Sequence, residues 1–168
     1  STLQQTAINN LGFSSKQTMT LAQKLYEQGF ITYMRTDSQN LSLESMLAAQ
    51  KVITEKFGKN YALTEPRFYK TKSKGAQEAH EAIRPSYPEK TPEELKKILE
   101  PSLYRLYTLI WKRMLACQMQ PAIFDSVKAD IIARSEKNEY ALRATGSTLK
   151  FEGYLKVYGQ ETIKLEMK

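Results

Sequence analysis

The segment from residue 29 to residue 38 places a tyrosine two residues before an arginine, Tyr33 and Arg35. A phenol with a reference pKa of about 10 is largely protonated at neutral pH. A nearby guanidinium would favour the developing phenolate and hold the phosphate that it attacks. β-Branched and aromatic residues at 30–34 predict a short strand, on which positions 33 and 35 share one face. This pattern indicates attack on phosphorus, and the alternative is a core tyrosine beside a surface arginine.

A second segment, residues 76–85, contains the single histidine of the chain, His80, and Arg84 four positions later. One helical turn would bring both side chains to the same side. An imidazole together with a guanidinium suits phosphate binding or proton transfer. The alternative is a histidine at a helix end, held by Glu81 or by a backbone carbonyl. The residue types alone leave both alternatives open.

Several kinds of site are absent from the sequence. The three aspartates, Asp37, Asp125 and Asp130, form no Asp-x-Asp pair, and no phosphate-binding glycine motif occurs. These absences argue against an autonomous metal-dependent nuclease or an ATP-driven helicase. The single cysteine, Cys117, excludes the usual structural zinc site and suits a buried thiol in a reducing compartment. No run approaches the roughly 18 apolar residues of a membrane helix, so no membrane partner is expected.

The charge of the chain is concentrated in its first part. The net charge is +7, and residues 1–120 carry 17 Lys and Arg against 11 Asp and Glu, whereas residues 121–168 carry 8 against 7. Basic side chains at Arg67, Lys70, Lys72 and Lys74 form the densest stretch. This distribution favours a polyanionic partner that contacts residues 1–120. A basic soluble protein without such a partner would have the same net charge.

Helix caps and apolar spacing predict five helices in the first 120 residues. They run from residue 1 or 2 to before Gly12, from Ser14 to before Gly29, from Ser42 to near Gly58, from Thr91 to about Leu99, and from Pro101 onward. After Pro121 the apolar period changes from 3.6 to 2, which predicts strands at 123–133, 140–144 and 148–158, with turns near Asn138 and Gly146. We therefore expect an α+β fold with a domain boundary near residue 120.

Two long stretches resemble one enzyme family, the type IA DNA topoisomerases of the bacterial topoisomerase I kind. The first stretch is similar to the active-tyrosine region of that family and runs from Gly12-Phe13-Ser14 through Leu25-Tyr26-Glu27 to Ile31-Thr32-Tyr33-Met34-Arg35-Thr36-Asp37-Ser38. The second, Gln77-Glu78-Ala79-His80-Glu81-Ala82-Ile83-Arg84-Pro85, is similar to its other signature. The resemblance covers nearly the whole chain, and both motifs occur in the family's order.

The resemblance implies a function. Such enzymes cut one DNA strand, keep its 5′ phosphate on the tyrosine, pass a strand through the gap and reseal it, which relaxes supercoils. Tyr33 matches the nucleophile, Arg35 the arginine that places it, and His80 a histidine near the cleavage site. The expected DNA-binding residues are Thr32, Arg84, Lys70, Lys72 and Lys74. The implied partner is a single-stranded DNA segment, and the implied location is the bacterial cytoplasm, in association with the nucleoid.

The resemblance also implies an architecture. Residues 1–120 are expected to be the tyrosine-bearing domain, which is helix-turn-helix-like or winged-helix-like, and residues 121–168 part of a β-rich arch domain. The chain begins without an initiator Met and is expected to be an internal fragment. The family's acidic magnesium-binding domain has no counterpart here, so we expect no cofactor in this chain and Mg²⁺ in the parent enzyme. The alternatives are a non-catalytic basic DNA-binding module and a hinge with a packed tyrosine.

Overall fold

The computed structural model describes residues 1–69 and 81–159 of the chain. Contacts divide the chain into two units, Ser1–Gln120 and Pro121–Lys168. The described residues contain six α-helices and one two-stranded antiparallel sheet, so the predicted α+β class is confirmed. Four residues of the predicted site, Lys70, Lys72, Lys74 and His80, lie outside the described residues.

Serine caps determine where the first three helices begin. Helix α1 spans Thr2–Leu11, α2 spans Ser15–Glu27 and α3 spans Leu43–Phe57. The preceding serines, Ser1, Ser14 and Ser42, each accept a hydrogen bond from a backbone N–H in the first turn. Such a cap typically stabilises a helix by about 1 kcal/mol. After α2 the chain turns at Gly29, whose φ of 75° is the left-handed conformation that favours glycine. All three predicted helices are therefore confirmed.

Prolines begin the last two helices of the first unit. Helix α4 spans Pro92–Leu95 and α5 spans Pro101–Cys117, each with its proline in the first turn. The prediction that α4 extends to about Leu99 was wrong. Glu100 has a ψ of 150°, outside the helical region that proline disfavours for the residue before it, so α4 and α5 do not join into one helix. The chain therefore leaves α4 in a turn before it enters α5.

The core of the first unit is built around α5, which contacts α1, α2, α3 and α4. Its buried side chains form one broad stripe of Leu103, Leu106, Tyr107, Ile110, Trp111, Met114 and Leu115. The two aromatic residues with polar atoms each find a partner. The Tyr107 hydroxyl donates to the Lys90 carbonyl at 2.6 Å, and Trp111 Nε1 donates to the Pro88 carbonyl at 2.7 Å. The core thereby also holds the segment that precedes α4.

The predicted strand at residues 30–34 was wrong. In the described part of the first unit this segment forms one antiparallel bridge, between Ile31 and Pro85, and then continues as a loop. Residues 81–84 are also non-helical. Arg84 therefore does not lie on the helical turn that had been predicted for His80 and Arg84, and His80 itself lies outside the described residues. Pro85 explains this, because it disfavours the helical conformation at Arg84.

The second unit contains one long β-hairpin rather than three predicted strands. Strand β1 spans Ile123–Arg134 and β2 spans Glu139–Phe151, and they pair antiparallel around a turn at residues 135–138. Gly146 lies inside β2, opposite Val127, and not at a turn. Residues expected in a third strand instead form a short helix α6, Leu155–Tyr158. Almost every side chain of the hairpin is exposed, so burial did not distinguish a turn glycine from a strand glycine.

Among the described helices, none combines the length and the apolar character that crossing a membrane requires.

We predict that Leu106→Ala destabilises the first unit by about 2–5 kcal/mol, since Leu106 is fully buried in the stripe of α5 and its truncation leaves a cavity. Urea denaturation of the 168-residue chain measures the change. The matched control is Leu47→Ala on α3, where the leucine is 50% exposed and the change should stay within about 0.5 kcal/mol. Equal effects of the two substitutions would contradict the assignment of α5 as the core helix.

Candidate active site

Tyr33 lies at the start of a loop that follows the Ile31 bridge. The neighbouring apolar side chains anchor this loop, because Ile31 and Met34 are 2% and 6% exposed. Tyr33, between them, is 39% exposed, and Arg35 is exposed as well. The alternation places Tyr33 and Arg35 on the solvent side even though no strand forms. This exposure argues against the alternative in which the tyrosine is merely packed in a core.

The ring of Tyr33 contacts the ring of Tyr26 from the last turn of α2. The ring centroids are 5.3 Å apart and the planes are inclined by 69°, an edge-to-face arrangement. Such pairs typically contribute about 0.5–1.5 kcal/mol beyond the area they bury. The contact constrains the orientation of the Tyr33 ring, and the residue as a whole stays 39% exposed. The sequence analysis assigned no role to Tyr26 and missed this contact.

The loop between Met34 and Asn40 is stabilised by its own hydroxyl groups. The Ser38 N–H donates to Thr36 Oγ1 at 3.0 Å, and the Asn40 N–H donates to Ser38 Oγ at 3.2 Å. Ser38 is buried and Asp37 is exposed. Short side-chain bonds of this type replace the backbone pairing that a helix or strand would supply.

Thr32, a predicted DNA-binding residue, uses its hydroxyl inside the protein. Its Oγ1 donates to the Ala82 carbonyl at 2.7 Å and accepts from the Arg84 N–H at 3.0 Å. The Thr32 backbone N–H donates to the Arg84 carbonyl at 2.9 Å. Thr32 therefore joins the tyrosine loop to the segment that carries the second signature. Its role in DNA binding stays a prediction.

Arg84 is largely buried and its guanidinium is bound on three sides. The Nε and Nη2 groups donate to the two oxygens of Glu81 at 3.1 and 2.7 Å, and Nη1 donates to the Pro85 carbonyl at 2.8 Å. The Arg84 side chain is 12% exposed, against 31% for Glu81. The phosphate contact predicted for Arg84 stays a prediction, and its donors are engaged within the protein.

Glu81 is a residue of the site that sequence reasoning considered only as a partner of His80. Besides Arg84, its Oε1 accepts from the backbone N–H of Ser42 at 2.6 Å, at the start of α3. Partial burial raises the pKa of this carboxyl, but the hydrogen bonds from Arg84 and Ser42 outweigh burial, so the pKa lies below its usual value. The available signal was the Glu-x-x-Arg spacing of 81 and 84, which suits a local ion pair.

Within residues 1–69 and 81–159, no group of three His, Cys, Asp or Glu side chains could hold a metal ion. The described residues therefore do not fit a magnesium site. What they contain is an exposed tyrosine, an exposed arginine and a half-buried ion pair in the segment hydrogen-bonded to the tyrosine loop. Such a surface is suited to nucleophilic attack on a phosphodiester.

Comparison with known proteins places the chain in a family. A family model described as DNA topoisomerase matches residues 1–168. DNA topoisomerase 1 of Rickettsia conorii is 50% identical over 166 residues, which cover 94% of this chain and 21% of that protein. DNA topoisomerase 1 of Campylobacter jejuni is 48% identical over 167 residues, which cover 95% of this chain and 23% of that protein.

A solved structure has the same fold. Full-length topoisomerase I from Thermotoga maritima matches with a TM-score of 0.76 and 40% identity, covering 95% of this chain and 26% of that one. The chain therefore belongs to the type IA DNA topoisomerases. The relatives named above are bacterial enzymes called topoisomerase I or 1, and the chain spans about a fifth to a quarter of their length.

We predict that Glu81 makes the first unit sensitive to acid. A carboxyl whose folded-state pKa is lowered contributes stability that is present above its unfolded pKa and is lost as the pH falls through the folded value. Stability should therefore decline as the pH falls below the ordinary glutamate value of 4.5, and Glu81→Gln should reduce that slope.

Urea denaturation at a series of pH values measures this slope. The control is Glu55→Gln, which breaks an exposed pair with Lys51 and should leave the slope unchanged because solvent screens such a pair. An identical slope in the wild-type chain and the Glu81→Gln chain would show that this carboxyl does not couple folding to pH.

Proposed function

We propose that this chain is the tyrosine-bearing segment of a topoisomerase that cleaves and rejoins one DNA strand and thereby relaxes supercoils. The observation that supports the proposal most directly is the exposed Tyr33 beside the exposed Arg35, in a chain of the type IA family. Cleavage, the role of each residue and the DNA substrate are parts of this proposal.

The proposed step is an exchange of phosphate esters. Tyr33 Oη attacks the phosphorus of a backbone phosphodiester, and the bond between phosphorus and the 3′ oxygen of the neighbouring nucleotide breaks. The phenolic proton leaves Tyr33, and the released 3′ oxygen gains a proton. The 5′ phosphate stays on Tyr33 while a strand passes through the gap. Attack by the 3′ hydroxyl on the phosphotyrosine then restores the strand and the free phenol, so no external energy source is consumed.

The other residues have supporting roles in this proposal. Arg35 would hold the phosphate and stabilise the charge that develops on it, as its exposed position permits. His80 is proposed as a contact of the cleavage site on the strength of the resemblance, and Lys70, Lys72 and Lys74 as contacts of the DNA backbone because they belong to the densest basic stretch of the sequence. Thr32 and Arg84 are also proposed DNA contacts, although their polar groups bind other parts of the protein.

The proposed parent enzyme supplies what this chain does not. We infer that residues 1–120 are its helix-turn-helix-like tyrosine domain and that residues 121–168 belong to its β-rich arch. The apolar side chains of the hairpin support the second assignment, since Val127, Ile131 and Tyr140 are at least half exposed and would suit burial against further strands. Magnesium would be held by other segments of the parent, and other domains of the same chain would be partners of this one.

Tyr33→Phe tests the nucleophile. The substitution removes one oxygen and preserves the ring that packs on Tyr26, so no covalent DNA adduct should form although the fold is kept. The assay follows transfer of a labelled 5′-phosphoryl DNA end to the full-length parent enzyme on a denaturing gel. The matched control is Tyr26→Phe, which removes the hydroxyl group of the contacting ring and should still form the adduct. An adduct with Tyr33→Phe would overturn the assignment.

Arg35→Ala should impair cleavage and leave folding nearly unchanged. Arg35 is exposed, so its truncation creates no cavity. The loss of one preorganised charge contact in a transition state typically slows a reaction roughly 100- to 1000-fold. The cleavage rate and the melting temperature are measured together, with Arg113→Ala on the exposed side of α5 as the control for loss of a positive charge. A lowered melting temperature with a normal cleavage rate would make Arg35 a structural residue.

A further inference from the structure

The loop that carries Tyr33 and Arg35 is closed at both of its ends by a single segment, residues 81–86, here called the brace. At the first end, the Thr32 N–H donates to the Arg84 carbonyl and the Ser86 N–H donates to the Phe30 carbonyl, both at 2.9 Å. At the second end, the Ala82 N–H donates to the Asn40 carbonyl at 2.8 Å. The distance between the two ends of the loop is thus determined by the brace.

Glu81 and Arg84 give the brace its shape. The carboxylate of Glu81 accepts a hydrogen bond from the Ser42 N–H at the start of α3, beyond the second end of the loop. It also accepts hydrogen bonds from the Nε and Nη2 groups of Arg84. The remaining Arg84 nitrogen donates to the carbonyls of Pro85 and Ser86. The ion pair therefore links the turn of the brace, through Glu81, to the helix that follows the tyrosine loop.

The pair is suited to holding a geometry. A bidentate contact between arginine and carboxylate fixes the angle as well as the distance between the two groups. Arg84 is 12% exposed, so solvent would replace the lost partner poorly if the carboxylate were changed. Elsewhere in the first unit, the pair of Lys56 and Glu93 has a comparable length of 2.8 Å, but Glu93 is 70% exposed and both residues lie outside the brace in the sequence.

We propose that the Glu81–Arg84 ion pair is a positioning device for the reaction of Tyr33. It holds the two ends of the tyrosine loop at the separation that aims the phenol and Arg35 at one phosphate. In this role the pair acts on the two ends of the loop, through Thr32 and Ser42. The inference rests on the proposed function, and it assigns Arg84 a task different from the phosphate contact that the resemblance implies.

A phosphate contact and a positioning role for Arg84 predict different experimental results. A phosphate contact would weaken DNA binding and lessen its salt dependence when it is removed, whatever happens at Glu81. A positioning pair would leave affinity and salt dependence unchanged and slow the cleavage of bound DNA. Because both residues act through one contact, removing the second after the first should have little further effect.

The experiment uses the full-length parent enzyme with Glu81→Gln, Arg84→Lys and both together. Glutamine at position 81 keeps an acceptor for the Ser42 N–H but loses the negative charge. Lysine at position 84 keeps the positive charge but cannot make the bidentate contact of a guanidinium. Single-turnover cleavage of a labelled single-stranded oligonucleotide at saturation gives the rate, and titration at two salt concentrations gives Kd. We expect each single variant to cleave up to about 100-fold more slowly, the double variant to be no slower than the slower single variant, and Kd to be unchanged.

Glu93→Gln is the matched control, because it removes an ion pair of the same unit away from the brace and should cleave at the wild-type rate. Near-ultraviolet circular dichroism gives the folded fraction, and rates are compared per folded molecule. If Glu81→Gln does not fold, Arg84→Lys alone decides, since it keeps the buried charge opposite Glu81.

Three outcomes would overturn the positioning role. The first is a wild-type cleavage rate in either single variant, and the second is a double variant whose loss of rate is the product of the two single losses. The third is an increased Kd for DNA that occurs only in the variants with Arg84→Lys. The proposed function fails separately, when Tyr33→Phe still forms an adduct.

Discussion

Burial of the apolar face of α5 determines where the other parts of the first unit lie. Aliphatic side chains alone would hold α1 to α4 without selecting one arrangement, because dispersion and hydrophobic burial have little directionality. Tyr107 and Trp111 add that selection. Their polar atoms must be hydrogen-bonded when buried, and they bond the carbonyls of Lys90 and Pro88. The core therefore fixes a specific stretch of chain, residues 88–90, which begins two residues after the end of the brace.

The tyrosine loop depends on this stretch because it has no regular structure of its own. Its ends pair with residues about fifty positions later, as for Thr32 with Arg84, and the entropy of closing so long a segment must be offset by other contacts. Anchoring of residues 88–90 on α5 supplies those contacts. This dependence gives a physical reason for the two signature stretches, distant in sequence, to occur together. The second stretch shares residues 81–85 with the brace, which is hydrogen-bonded to both ends of the tyrosine loop.

Elements formed by interactions between residues close in the sequence were predicted correctly, whereas those that depend on distant residues were not. Helices α1 to α3 and α5 were predicted because serine caps, N1 prolines and apolar spacing lie within the helices themselves. The strand at residues 30–34 was wrongly predicted, since its residue types suit a strand but the fold offers one bridge instead of a partner strand. Gly146 was misread for a different reason, because a glycine suggests a turn but this one lies in a paired strand opposite Val127. Tyr33 and Arg35 were proposed from their spacing, and the structure shows both residues exposed, whereas the link from Glu81 to Ser42 depends on tertiary structure and leaves little local signal.

On the proposed function, the same exposure that makes Tyr33 available also limits what this chain can do with it. Charges that face water interact weakly, because two unit charges 4 Å apart gain about 1 kcal/mol in water and several times more near a protein interior. Arg35 is exposed and Tyr33 is 39% exposed, so a phosphate bound between them would remain partly solvated. Strong stabilisation of the transition state requires a site that excludes water. The brace can aim the nucleophile, but the low-dielectric surroundings must come from protein that covers this surface when DNA is bound.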